Sequence, residues 1–260
     1  MAEALWTGVA RAYARSFAGL CEGGIPTLTA GLPPGGRLLD VGCGTGALVQ
    51  AARDAGCEAV AVELDLEMAA LAGERLGTEV TVASLPDLPF ADDGFDTVVA
   101  SFVLNHVEDP RAGARELVRL AAPGGSVRAT IWTSAPTVQG ALFREVMEAS
   151  EAVEPVYPRL DESLDFERSL DGLGQLFAAA GASVTDSRMV DWVWRVSPED
   201  FWAGVTGGVG GVGVAWAAQT PDVQDRMRVE LDRLAEPLMD HGEMVFPATA
   251  AYVEARVPRS

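Results

Sequence analysis

Asp40 is followed at once by glycines on alternate positions, Gly42, Gly44 and Gly46, inside the stretch RLLDVGCGTG at residues 37–46. Glycine has no Cβ, so such a turn lets a ligand lie directly against the main chain. If a helix begins just beyond it, the first amides lack intrahelical partners and can meet polar groups of that ligand. Gly42, Gly44 and Ala47 also satisfy the dinucleotide pattern G-x-G-x-x-G/A, so the glycines alone do not choose the ligand. The choice falls to Asp40. A carboxylate beside the turn repels a pyrophosphate and attracts an ammonium or a sulfonium. S-adenosylmethionine carries both cations and no phosphate. The competing reading of Asp40, a turn or capping residue, stays open at this stage.

A second carboxylate, Glu63, ends the apolar run EAVAVE at residues 58–63. It stands about 20 residues beyond Gly42, the spacing at which such folds place the acid that accepts both ribose hydroxyls. Leu64 is then placed to lie against an adenine, and Asp65 reads as the cap of a helix over 67–76. Groups able to move a proton are few, since the chain has two histidines. His106 follows the fourth apolar run, at the strand end where doubly wound folds bind ligands, and is the candidate base or acceptor contact. A local hydrogen-bonding role in its loop is the alternative. His241, in the turn DHGE, reads as a solvent-exposed turn residue. Trp132 and Trp202, with Trp192, Trp194 and Trp216, are candidates to wall an aromatic or apolar acceptor, although large aromatics at such spacing also fill cores.

These residues need elements to hold them. Apolar runs at 37–41, 58–63, 79–83, 95–101 and 126–132 alternate with helical patterns at 47–52, 67–76 and 111–120. That alternation predicts an α/β fold, doubly wound, with a mostly parallel seven-stranded sheet and right-handed crossovers. Upstream, Trp6, Val9, Ala10, Tyr13, Ala14 and Phe17 recur at helical spacing and predict one amphipathic helix. It either crosses the mouth of the site or covers the sheet edge. Residues 134–170, with Pro155 and Pro158, carry no strand signal and read as a cap or lid insertion. A helix over 170–180, a long strand over 182–196, a helix opening at Ser197-Pro198 and a last strand over 244–257 complete the scaffold. The final two strands form an antiparallel pair closing one sheet edge. Residues 207–213 (GGVGGVG) read as a flexible loop, either a lid hinge or a connector. The organisation is therefore an N-terminal helical segment at 1–36 and a core at 37–133 and 171–260. The core carries a helical excursion at 197–243, and the insertion occupies 134–170.

With 260 residues the chain can bury one sizeable core. A net charge of −19 argues against a nucleic-acid backbone or an anionic membrane surface as partner. All 19 basic residues are arginine, so lysine-based Schiff-base or general-base chemistry is excluded. Cys21, Cys43 and Cys57 show no paired metal spacing, and no metal site is expected; free thiols fit a reducing cytoplasm. No stretch reads as a signal peptide or a membrane span.

Taken together, the motifs resemble the class I S-adenosylmethionine-dependent methyltransferases, in particular the small-molecule branch that includes the quinone-biosynthesis enzymes. LLDVGCGTG is similar to the cofactor glycine loop, AVELD to the acidic strand end, LPFADDGFDTVVASFVLNHVEDP to the fourth-strand block, and ELVRLAAPGGSV to the helix and turn into the fifth strand. The resemblance runs from about residue 37 to 132 and weakens to topology beyond residue 136. It implies S-adenosyl-L-methionine as cofactor, held by Asp40, Gly42, Gly44, Gly46, Glu63 and Leu64. The adenine would be read by the backbone at Ser84 and Leu85, because Ser84 stands where the family often has an acid. It further implies contacts near Ser101 and Phe102, and Tyr13 closing over the methionine end. The implied reaction is in-line methyl transfer to a small-molecule acceptor. A nicotinamide-dependent oxidoreductase and a cofactor-binding protein without methyl transfer are the alternatives, and protein acceptors remain open.

Overall fold

In the computed structural model of the chain, residues 6–156 and 160–259 are described; Pro158 and the first five residues of the N-terminal segment lie outside them. Among the described residues, the short helices α1 (Ala10–Arg15), α2 (Ala18–Glu22) and α3 (Ile25–Thr29) precede the sheet. Its strands are β1 (Arg37–Val41), β2 (Glu58–Glu63), β3 (Thr81–Val82), β4 (Phe95–Ser101), β5 (Ala121–Ile131), β6 (Ser183–Val196), β7 (Met239–Asp240) and β8 (Glu243–Arg256). They run in the order β3-β2-β1-β4-β5-β8-β6, and the two-residue β7 folds back onto β8. The first five pair in parallel, while β8 enters antiparallel between β5 and β6. The order reverses between β1 and β4, which opens a crevice at their carboxyl ends.

The central strands are near-continuous apolar runs because both faces are covered: Leu39, Val98, Val99 and Ala100 have no exposed surface. The covering helices start where capping residues stand. Helix α4 (Ala47–Asp54) follows the glycine turn directly. Asp65 accepts from the Met68 amide at 2.9 Å and opens α5 (Leu66–Leu76). Asp109 accepts from the Ala112 amide at 2.8 Å, ahead of Pro110 at the start of α6 (Pro110–Leu120). A second apolar cluster lies at the far ends of β6 and β8. There α7 (Val138–Ala149), α9 (Pro198–Thr206), α10 (Gly210–Ala217) and α11 (Pro221–Ala235) pack around Trp194, Phe201 and Phe246. Between them in sequence, α8 (Leu170–Ala179) returns to the main core through Leu173, Leu176 and Phe177.

Four local expectations are corrected. The one helix expected through Trp6–Phe17 stops at Arg15, because Ser16 Oγ bonds back to the Ala12 carbonyl at 2.6 Å and wedges against Gly204 of α9, ending α1 there. The glycine-rich stretch is not a loop throughout: Gly210–Ala217 is helical, since Val212, Ala215 and Trp216 gain burial in the second cluster that outweighs the poor helix propensity. No described residue of 134–170 lines the crevice. Helix α7 of that stretch buries Leu142, Phe143, Val146 and Met147 in the second cluster instead. Finally, β3 is cut to two residues, whereas β5 begins earlier than 126, at Ala121.

Candidate functional site

At the carboxyl ends of β1, β2 and β4 lies a cavity of about 310 Å³. The turn after β1 forms its floor. Gly42 has a φ of 69°, and a Cβ there would stand 2.5 Å from Val103 Cγ2, so only glycine fits. The amides of Gly42 and Cys43 both donate to the Val62 carbonyl at 2.9 Å, which ties the turn to the end of β2. There the Glu63 carboxylate accepts from the amides of Gly44 (2.9 Å), Leu64 (2.9 Å) and Asp65 (3.2 Å). Burial pushes the Glu63 pKa up, and those amides pull it part of the way back. Glu63 therefore does two things in one place: it braces the glycine turn and lines the cavity.

Asp40 is only 1% exposed, and neither carboxylate oxygen has a hydrogen-bond partner among the described residues. Burial, followed by the charge of Glu63, drives its pKa up to about 8. A small adjoining recess holds Asp40 with Tyr13, Gly42, Gly44 and Ser101. An orphaned carboxylate in such a recess is a site for a cation. The ring of Tyr13 packs over Gly44, where a Cβ would come within 3.6 Å of Tyr13 Cε1. Its phenol is held protonated by burial beside Cys21.

Leu64, Ser84, Leu85, Ser101 and Phe102 all line the main cavity, as do His106 and Trp132. Phe102 has a φ of 60°, a left-handed conformation that non-glycine residues seldom adopt. Its ring stacks on Trp132 at 4.1 Å and 14°. Burial lowers the His106 pKa to about 4, with Arg168 adding to the effect, so the imidazole is neutral near pH 7. Trp6 meets His106 edge-on at 5.2 Å and Tyr13 edge-on at 5.5 Å.

Two expected site residues lie elsewhere. Gly46 caps α4 with a φ of 80° and faces Leu76 and Ala72 of α5, so it serves helix packing rather than the cavity. Trp202 packs edge-on against Trp216 at 4.8 Å under Arg228, in the second cluster. Nor do Trp192 and Trp194 wall the cavity: Trp194 is core, and Trp192 donates to the Leu20 carbonyl at 3.0 Å. Conversely, Phe17, Leu20, Cys21 and residues 209–212 line the site although no motif marks them. The apolar spacing through Phe17 and the glycine-rich run at 207–213 are their traces in the sequence.

A buried carboxylate pair around a glycine turn, at the switch point of a doubly wound sheet, defines a nucleoside-binding protein adapted to a cationic ligand. Comparison with known proteins narrows the class. Residues 39–129 match the family described as Methyltransferase domain. An uncharacterized protein of Mycobacterium tuberculosis is 36% identical over 116 residues, covering 43% of this chain and 42% of that protein. The demethylmenaquinone methyltransferase of Clavibacter sepedonicus is 29% identical over 205 residues, 72% of this chain and 84% of that protein. Among solved structures, the [4+2]-cyclase SpnF superposes with a TM-score of 0.55 at 22% identity, covering 94% of this chain and 82% of the cyclase. Residues 39–129 are thus similar to the methyltransferase domain, and the fold around them is that of class I methyltransferases. It spans about two-fifths of the length of the mycobacterial relative it matches, 42%.

Proposed function

We propose that the chain is an S-adenosylmethionine-dependent methyltransferase acting on a small-molecule acceptor. The observation that carries this reading is Asp40, a buried carboxylate with both oxygens unpartnered beside the glycine turn. A dinucleotide would bring its pyrophosphate to this turn against the charge of Glu63, and it would offer no cation to draw the proton off Asp40. The ammonium of the cofactor's methionine moiety would instead give Asp40 its missing partner.

The remaining assignments follow from position. Glu63 would accept from the ribose hydroxyls, at the cost of loosening some of its present amide bonds. Leu64, Ser84 and Leu85 would bracket the adenine, and Ser101, Phe102 and Tyr13 the methionine end. When bound, the cofactor supplies an electrophilic methyl group to a nucleophile on the acceptor. The protein's task is then to align that nucleophile and exclude water, which positioning arguments value at about 7–11 kcal/mol. His106, neutral and lining the cavity, would hydrogen-bond the acceptor rather than drive a demanding deprotonation, since a pKa of about 4 makes it a weak base.

The net charge of −19 disfavours nucleic acid as the acceptor. The three free thiols suit a reducing, cytoplasmic setting, and no helix among the described residues is long and apolar enough to cross a membrane. Calorimetric titration with S-adenosylhomocysteine and with NADH tests the reading directly. Binding of the homocysteine nucleoside alone is expected. Binding of NADH in its place overturns the proposal, as does an absence of S-adenosylhomocysteine release across a broad panel of acceptors.

A further inference from the structure

The nucleoside assignments leave part of the cavity lining unused, and that part is taken as the acceptor compartment. Its wall is built from Trp6, Phe17, Val107, Trp132, Val209 and Val212. Among the described residues lining the whole cavity, one side chain carries a formal charge, Glu63, and it belongs to the nucleoside end. No arginine is among them, and the chain has no lysine to contribute.

A carboxylate, phosphate or sulfate entering this compartment would give up its hydration for a wall that no arginine lines; Arg168, whose charge reaches His106, is already paired with Asp165 at 2.6 Å. It would also approach Glu63 within a strongly acidic protein. A primary ammonium would fare no better there, because with the nucleoside bound Glu63 is committed to the ribose and Asp40 to the methionine ammonium, which leaves the lining no further carboxylate.

The flat part of that wall is fixed from behind. The Asn105 side-chain amide donates to the Trp132 carbonyl at 2.9 Å, and its oxygen accepts from the Trp132 amide at 2.9 Å. Trp132 is in turn stacked on Phe102, and Trp192 leans on it at 5.7 Å. This gives a rigid aromatic wall whose orientation is set by a residue outside the cavity lining.

We infer that the acceptor is an uncharged, planar apolar molecule lying along Trp132, and that Asn105 is a positioning residue which sets this preference by holding the indole in place. The inference rests on the methyltransferase reading and narrows its substrate class. His106 is the polar side chain that reaches the same compartment, so one hydroxyl on an otherwise apolar ring completes the match.

The test uses two probes of one shape and different charge, 2-naphthol and 6-hydroxy-2-naphthoate, titrated calorimetrically into the full chain saturated with S-adenosylhomocysteine. The naphthol is expected to bind at least about tenfold more tightly than the naphthoate. Asn105→Ala should weaken naphthol binding by about fivefold or more and leave the affinity for S-adenosylhomocysteine within about twofold, a split that general loosening of the fold would not produce. Trp132→Phe, which keeps a flat ring, should retain more naphthol affinity than Trp132→Ala. Equal or tighter binding of the naphthoate, no binding of the naphthol, or an Asn105→Ala variant with unchanged naphthol affinity each overturns the inference. If S-adenosylhomocysteine itself fails to bind, the methyltransferase reading fails first, and that outcome is read before either naphthalene is added.

Discussion

The side chain of Asn105 and the backbone of Trp132 form a closed pair of hydrogen bonds, each 2.9 Å, joining the segment after β4 to the end of β5 across 27 residues of sequence. The pair mimics one more rung of the parallel ladder just where β4 and β5 part. Replacing Asn105 by alanine leaves a half-buried N–H and C=O without their partner. The expected loss of folding stability is about 1–3 kcal/mol, measured by urea denaturation. A loss below about 0.5 kcal/mol would mean that water replaces the amide without penalty, as at ordinary surface positions.

Asp40 makes the protein's stability depend on pH in an unusual direction. Its folded pKa of about 8 lies above the unfolded carboxylate value, so the folded state holds the extra proton between those limits. Stability from this group is present at low pH and is lost as pH rises toward 8, at up to about 1.4 kcal/mol per pH unit. Asp40→Asn should flatten that slope in denaturation curves between pH 5 and 8, while abolishing measurable S-adenosylhomocysteine binding. Wild-type binding near pH 7 should release a proton, seen as a calorimetric heat that changes with the ionisation enthalpy of the buffer.

His106 tilts the balance the other way at acid pH. Its folded pKa of about 4 lies below the unfolded histidine value, so the unfolded chain takes up the proton first as pH falls. Stability contributed by the neutral, buried ring is therefore lost between about pH 6.5 and pH 4. His106→Phe should remove that dependence, and the wild-type rate profile should show no inflection near pH 6.5 from this residue.

Glu63 braces the glycine turn before any nucleoside arrives, through its three amide bonds. Glu63→Gln keeps the shape but loses the charge that strengthens those bonds and the ribose contacts. S-adenosylhomocysteine affinity should fall by about 1.5–3 kcal/mol, or roughly 10- to 150-fold by calorimetry. An unchanged affinity would remove Glu63 from the proposed ribose site.

Gly42 and Gly46 separate binding from folding. Both have positive φ, but a side chain at Gly42 meets Val103 beside the cavity, whereas one at Gly46 meets Leu76 of α5 at 3.1 Å. Gly46→Ala should cost about 1–2 kcal/mol of stability from the left-handed conformation, with nucleoside affinity preserved in the folded fraction. Gly42→Ala should lose binding as well. Equal effects of the two substitutions on affinity would contradict this division.

The sequence by itself determined the parallel half of the sheet, the glycine turn and the two strand-tip acids, Asp40 and Glu63. Their signals are local: an apolar run, a residue type and a fixed spacing force the same strand–turn–helix unit wherever they occur. Only the tertiary structure decided the acceptor side. Trp132 and Trp202 are equally plausible walls in sequence, yet Asn105 and Phe102 hold the first against the cavity, while the second cluster claims the other. Likewise 210–213 becomes the start of a cavity-lining helix, and α7 within 134–170 packs into the second cluster. Those outcomes depend on which distant apolar faces meet, and burial between residues far apart in the chain leaves no periodicity to read.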